Sequence, residues 1–116
     1  MFFANYLVYF DEALTEYLND LNLRYADIKA QGYDWVYAES RVRYRGSAKF
    51  EDLLSVHVRI GKIGNSSVTA EFQIFNQETQ ELIVTGELVF VVVDDSIRKP
   101  AMVPEFFRKA VALAQR

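Results

Sequence analysis

Phe2-Phe3-Ala4-Asn5-Tyr6-Leu7-Val8-Tyr9-Phe10-Asp11-Glu12-Ala13 comes directly after Met1, and its continuation to Leu21 decides how the rest of the chain must be arranged. Apolar residues recur at Tyr6, Tyr9, Phe10, Ala13, Leu14, Tyr17, Leu18 and Leu21, the spacing of one buried face of an α-helix. Asp11, Glu12, Glu16, Asn19 and Asp20 fall on the opposite side. The chain thus starts with one long helix carrying a single apolar stripe, and the residues after it must supply the surface that covers it. A shorter irregular or helical piece, Tyr25 to Gln31, ends near Gly32.

From Asp34 the period changes to two. Trp35, Tyr37, Glu39, Arg41 and Arg43 alternate with Val36, Ala38, Ser40, Val42 and Tyr44, which predicts one long strand with two chemically different faces. Leu54, Val56, Val58 and Ile60 then alternate with Ser55, His57 and Arg59, Gly61 to Asn65 are expected to turn, and Val68, Ala70, Phe72 and Ile74 alternate with Thr69, Glu71 and Gln73. Asn76 to Gln80 reads as a hairpin loop into a strand from Glu81 to Val93. Its run Leu88 to Val93 is apolar on both faces and so belongs in the middle of the sheet. A charged loop, Asp94 to Lys99, and Pro100 close that strand. Pro104 is expected in the first turn of a C-terminal helix reaching Ala114. One helix and then four antiparallel strands make an α+β plan in which the sheet wraps the helix, as a single domain over residues 1–116.

Composition narrows the function classes. The chain has 116 residues, 51% hydrophobic and 15% aromatic, enough for one compact core. A net charge of -3 argues against a nucleic-acid groove, which needs clustered Lys and Arg. There is no cysteine, so disulfides, a thiol nucleophile and thiolate metal sites are excluded, and a cytoplasmic location is the expectation. Asn5 and then Asp11-Glu12 interrupt the opening apolar stretch, which lacks a basic flank. It reads neither as a signal peptide nor as a membrane span.

Phe2 to Ala13 resembles the start of the central helix in hotdog-fold acyl-CoA thioesterases of the 4-hydroxybenzoyl-CoA thioesterase type, where an aromatic-rich H-x-N-Y-like segment leads into F-E-x-A. Tyr44 followed by Ser47-Ala48-Lys49-Phe50-Glu51-Asp52-Leu53-Leu54 is similar to that family's Y-x-x-P-A-x-F-G-D-x-L strand start, and Gly64-Asn65-Ser66-Ser67 resembles the turn before its next strand. Val93-Asp94 with Lys99-Pro100 and Val103-Pro104 looks like the closing V-D-x-x-x-x-K-P-x-x-I-P signature. The resemblance implies a hotdog fold whose usual first strand is missing here. It also implies a homodimer or homotetramer with sites between subunits, and an acyl-CoA or acyl-carrier-protein substrate. No metal or separate cofactor is implied, coenzyme A being part of the substrate. Family members carry a strand and a T-D-x-x-G-like loop ahead of the helix, and the Asp of that loop is the catalytic carboxylate in many of them. Many also have a His where this chain has Phe3, and commonly Val where it has Met1. The expectation is therefore a true start upstream by one strand and one loop, with an internal valine codon read as a start. The intact mass of the native protein tests it.

Thioester hydrolysis needs donors for the developing oxyanion and a carboxylate to activate water or attack. In the family the backbone N–H groups at the start of the central helix face the thioester carbonyl, which makes Phe3, Ala4 and Tyr6 the substrate-binding candidates. Asn5, otherwise a helix cap, is the candidate for positioning water, and Glu12, seven residues on along the same helical face, is the candidate carboxylate. Asp11 and Glu12 read equally as a solvated or dimer-facing pair. Coenzyme A phosphates need cations and donors, for which Arg59, Lys62, Ser66 and Ser67, with Arg98 and Lys99, are candidates, ordinary surface charge being the plainer reading. Arg41, Arg43 and Arg45 would repel along one strand face unless acids or phosphate meet them. His57, on the polar face of its strand, reads as a surface or interface residue. Trp35 and Tyr37 line an acyl pocket or pack. Two functions remain: a thioesterase acting on a short-chain or aromatic acyl thioester in a dimer groove, and a non-catalytic hotdog module that binds acyl thioesters or serves as a scaffold.

Overall fold

The computed structural model describes residues 3–46 and 53–115, with side chains of the first helix from residue 8 onward. The family-like stretch Ser47 to Asp52 lies outside the described residues, as do the side chains of Phe3, Ala4, Asn5 and Tyr6. Helix α1 (Phe3–Asp20) covers the amphipathic opening segment. Phe10, Leu14 and Leu18, four residues apart, are buried, and Tyr9, Ala13, Tyr17 and Leu21 pack at the margin of the same core. The helix ends in a Schellman motif. Asn22 takes the left-handed conformation (φ 61°), its N–H donates to the Asn19 carbonyl at 3.0 Å and the Leu23 N–H to the Leu18 carbonyl at 2.8 Å. Leu18 and Leu23 both enter the core there. A short helix α2 (Tyr25–Ala30) comes next, and Gly32 at φ 91° turns the chain into the sheet.

The sheet consists of β1 (Tyr33–Tyr44), β2 (Leu54–Ile63), β3 (Ser67–Asn76), β4 (Leu82–Asp94) and β5 (Lys99–Pro100), antiparallel in the order β1-β4-β3-β2 with β5 also on β4. β4 lies between β1 and β3, as its two-sided apolar run predicts. Helix α3 (Glu105–Ala114) begins directly after Pro104, which takes the N-cap position.

Three sequence expectations need correction. The segment Asp94 to Pro100 is not all loop, because Lys99–Pro100 pairs with Val93 and Asp94 as a fifth strand. The turn after β2 starts later than Gly61. Strand pairing continues through Lys62↔Thr69 and Ile63↔Val68, with a bulge at Gly61 that places Lys62 on the outer face instead of the core face. Most consequential, β1 does not present Trp35, Tyr37, Glu39, Arg41 and Arg43 on one face. A bulge at Ala38 shifts the register between Tyr37↔Phe90 and Glu39↔Val89, and one extra residue exchanges the two faces. Trp35 and Tyr37 therefore lie on the α1 side against Phe90, at ring distances of 5.6 and 6.4 Å, while Glu39, Arg41 and Arg43 lie on the outer side.

Helix α1 crosses the inner face of this sheet obliquely. Asp11 meets Tyr37 on β1, Phe10 stacks on Phe72 of β3, and Tyr17 reaches Gln115, which is bound to Ile60 of β2. The middle of α1, at Asp11, thus meets β1, and its second half, at Tyr17, lies on the β2 side. The Gln115 side chain accepts a hydrogen bond from the Ile60 N–H at 2.7 Å and donates to the Ile60 carbonyl at 2.8 Å, satisfying backbone groups of an edge strand.

The opposite corner is tied together by Asp34, 7% exposed at the start of β1. Its carboxylate accepts hydrogen bonds from the Tyr25 hydroxyl (2.7 Å), the Trp35 N–H (2.8 Å) and Arg98 Nη1 (2.7 Å), with Lys29 Nζ at 3.7 Å. Burial alone would raise its pKa, but these hydrogen bonds and the Lys29 charge outweigh that and hold it at about 2. A carboxyl lowered in the folded state stabilises the fold above its ordinary pKa of 3.8, and that contribution is lost as pH falls from there towards 2. Urea midpoints measured across this window should drop more steeply for the wild type than for Asp34→Asn. Parallel curves would remove Asp34 as the titrating group.

Candidate functional site

At the N-terminus of α1 the first backbone N–H groups have no intrahelical acceptor and carry the positive end of the helix dipole. Phe3, Ala4, Asn5 and Tyr6 supply this first stretch, and no acidic side chain occupies the first turn to neutralise it. On the β1 side the helix meets Tyr37. Its hydroxyl donates to Asp11 Oδ1 at 2.5 Å, a short charge-assisted hydrogen bond between helix and strand. Burial, and secondly the Asp11 carboxylate, raise the pKa of Tyr37, so the phenol stays protonated and acts as donor. Glu12, the next residue, is exposed, and among the described residues it has no hydrogen bond or ion pair.

This Asp11–Tyr37 pair was not singled out by sequence reasoning. The visible signal was the F-E-x-A-like pattern, in which Asp11 comes after Phe10. Tyr37, however, became a partner only because the Ala38 bulge keeps it on the helix side while moving the next residues of the strand away. Trp35, by contrast, packs edge-on to Tyr25 (5.2 Å) and against Phe90 (5.6 Å).

The structure divides the remaining candidates. Arg59 and Lys62 project from the outer face of β2, opposite to α1, and Arg59 Nε lies 3.4 Å from Glu71 Oε1. Ser66 and Ser67 lie where the chain turns from β2 into β3. That turn is held by its backbone: Val92 N–H donates to the Ser66 carbonyl (2.8 Å), Val103 N–H to the Asn65 carbonyl (2.8 Å), and Arg108 Nη2 to the Gly64 carbonyl (2.7 Å). Within one chain, then, Arg59 and Lys62 lie on the face of the sheet away from α1. Arg98, another cation considered for phosphate, is engaged by Asp34 and Asp95 at 2.7 and 2.9 Å. Lys99 is exposed in β5. Among the described residues, no cluster of His, Asp and Glu side chains is arranged to hold a metal ion, and no helix is long and apolar enough to cross a membrane.

A long helix laid over one face of an antiparallel sheet is the hotdog class of α+β folds, and the superpositions with solved thioesterase structures agree with it. The chain belongs to the thioesterase-like superfamily, whose family model matches residues 1–111. The enzyme class that goes with this membership is thioester hydrolase. Over 105 residues the chain is 25% identical to the Escherichia coli O6:H1 protein named acyl-CoA thioester hydrolase YbgC, covering 90% of this chain and 78% of that one. A 1,4-dihydroxy-2-naphthoyl-CoA thioesterase from Synechocystis superposes with a TM-score of 0.86 at 19% identity, covering 97% of this chain and 82% of that one. A Staphylococcus aureus protein solved in complex with CoA gives 0.87 at 18% identity, over 97% of this chain and 71% of that one.

Proposed function

We propose that the chain hydrolyses an acyl-CoA or acyl-carrier-protein thioester, short-chain or aromatic, in a groove between the start of α1 and the β1 edge. What supports this reading is the N-terminus of α1, where the first N–H groups have no intrahelical acceptor and the first turn carries no acidic residue. Such N–H groups can stabilise the charge that develops on a thioester carbonyl oxygen. Asn5 orients the water, Glu12 takes its proton, and the Asp11–Tyr37 bond fixes the helix against the strand beside the reacting group. The names of the E. coli and Synechocystis relatives support the acyl-CoA class, and the CoA bound by the S. aureus protein supports the carrier.

The groove in this reading lies at a homodimer interface. β1 is a twelve-residue edge strand with Val36 and Tyr37 exposed, and pairing with the same strand of a second copy satisfies its outward backbone groups. A second copy also supplies cations to the coenzyme A phosphates, which the division of candidates within one chain requires.

Free thiol release, followed with a panel of short-chain and aromatic acyl-CoAs and one acyl-carrier protein, tests the activity, and light scattering tests the assembly. Turnover of at least one thioester by a species of twice the chain mass is expected. Binding of CoA without turnover of any thioester would overturn hydrolysis in favour of a binding module.

A further inference from the structure

The register of the sheet arranges its outer face in rows. Arg41 of β1 lies opposite Glu87 of β4, Glu87 opposite Glu71 of β3, and Glu71 opposite Arg59 of β2. The neighbouring row consists of Arg43, Thr85, Gln73 and His57, paired in the same way. Both rows line one depression of about 440 Å³ on the side of the sheet away from α1, within the range of roughly 300–1,000 Å³ usual for small-molecule sites.

The two rows differ in electrostatics. In the first, two carboxylates face each other across β3 and β4, an unfavourable pairing that the flanking guanidiniums offset. Arg59 lies 3.4 Å from Glu71, Arg41 is bonded to Glu39 at 2.8 Å, and Glu87 raises the pKa of Arg41 further. That row is closed on itself. The second row contains a guanidinium, a hydroxyl, an amide and an imidazole but no carboxylate, and among the described residues Arg43 has no ion-pair partner. His57 is held in place, with Nε2 3.0 Å from Ser55 Oγ and its ring edge-on to Phe75 at 5.3 Å. Between the two ends the floor is strand backbone, because the neighbouring positions Gly86 and Phe72 face the core and Phe72 turns its ring against Phe10. With strands about 4.8 Å apart, the row spans on the order of 14 Å.

We propose that this row binds a small phosphate ester of mononucleotide size, at a site on the opposite face of the sheet from the thioester groove. The phosphoryl group lies on the Arg43 guanidinium, whose planar fork matches two of its oxygens, with the Thr85 hydroxyl and the Gln73 amide as further donors. The ring system lies over Gly86 towards His57. Of the three arginines lining the depression, Arg41 is met by Glu39 and Arg59 by Glu71, which leaves Arg43 as the cation for an anionic group.

Amide chemical-shift titration of the full chain with AMP, and separately with inorganic phosphate, tests the site. AMP should give saturable shifts at Thr85, Gln73 and His57, with phosphate binding more weakly at the same Arg43 end. Arg43→Gln should weaken AMP at least about tenfold, the loss of one charge-assisted hydrogen bond, without changing the melting temperature. Arg43→Lys, which keeps the charge but not the fork, should fall between the two. Absence of saturable shifts, or equal affinity in Arg43→Gln, would overturn the proposal. So would shifts of the same amides with protein concentration that exclude AMP, since the face would then be covered by a second copy.

Discussion

Alanine at Phe10 is expected to destabilise the fold by about 3–5 kcal/mol, the range for truncating a fully buried phenylalanine. The ring is 0% exposed and stacks on Phe72 with centroids 4.4 Å apart and planes at 14°. Its seat is made by a missing side chain: a Cβ on Gly86 would stand 2.5 Å from Phe10 Cε2 and 2.8 Å from the Arg41 carbonyl oxygen. Helix and sheet approach at this point only because β4 is bare there, so truncating the ring leaves a void that a rigid central strand cannot collapse into. Gly86→Ala is expected to be costly for the converse reason. The double variant should cost less than the sum of the two, because removing the ring makes room for the methyl group. It should not return to the Gly86 baseline, since the clash with the Arg41 carbonyl is with backbone. Urea unfolding of the four proteins measures this cycle, and a Phe10→Ala cost below about 1 kcal/mol, the average for any substitution, would mean that α1 is not anchored at this contact. Loss of the anchor should also lower turnover, because misplacing a catalytic element by about 1 Å can cost on the order of a hundredfold.

The contact between helix and sheet was largely legible in the sequence. The spacing of Phe10, Leu14 and Leu18 identified the buried face of α1, and the unbroken Leu88 to Val93 run placed β4 centrally, because each signal repeats over many residues. The register of β1 was not legible. Ala38 has no feature that marks a bulge, and pairing with β4 decides which residue is left over. That one residue separates Tyr37 from Arg41 and Arg43 by the thickness of the sheet, which divides the aromatic and cationic candidates between two surfaces. The same reason explains why the Asp11–Tyr37 bond was missed and why the arginines of β1 flank an outer depression. For Arg98 the sequence showed a charged loop near the closing proline. Its partner Asp34 is far away in sequence and is brought in by the β1–β4 pairing.

Glu12→Gln should lower kcat by about 10²–10⁴, the contribution of a positioned general base, with KM little changed, because the substitution removes a proton acceptor and leaves shape and hydrogen bonding nearly intact. Seven residues along a helix return to nearly the same face, about 10 Å further on, so positions 5 and 12 lie on one stripe. Side chains on α1 lean towards its N-terminus, which brings the Glu12 carboxylate back towards the end where the N–H groups are unpaired. In the proposed reaction a water sits between that carboxylate and the thioester carbonyl. Asp11 is the competing carboxylate: its Oδ1 already accepts the Tyr37 hydroxyl at 2.5 Å, whereas Glu12 is exposed and has no partner among the described residues. Asp11→Asn and Tyr37→Phe should therefore have similar, smaller effects that do not add in the double variant, since both break the same bond. If Asp11→Asn costs more in kcat than Glu12→Gln at the same acyl-CoA, the base is Asp11 and Tyr37 tunes it. The short hydrogen bond would then belong to the reaction itself and not to the placement of the helix.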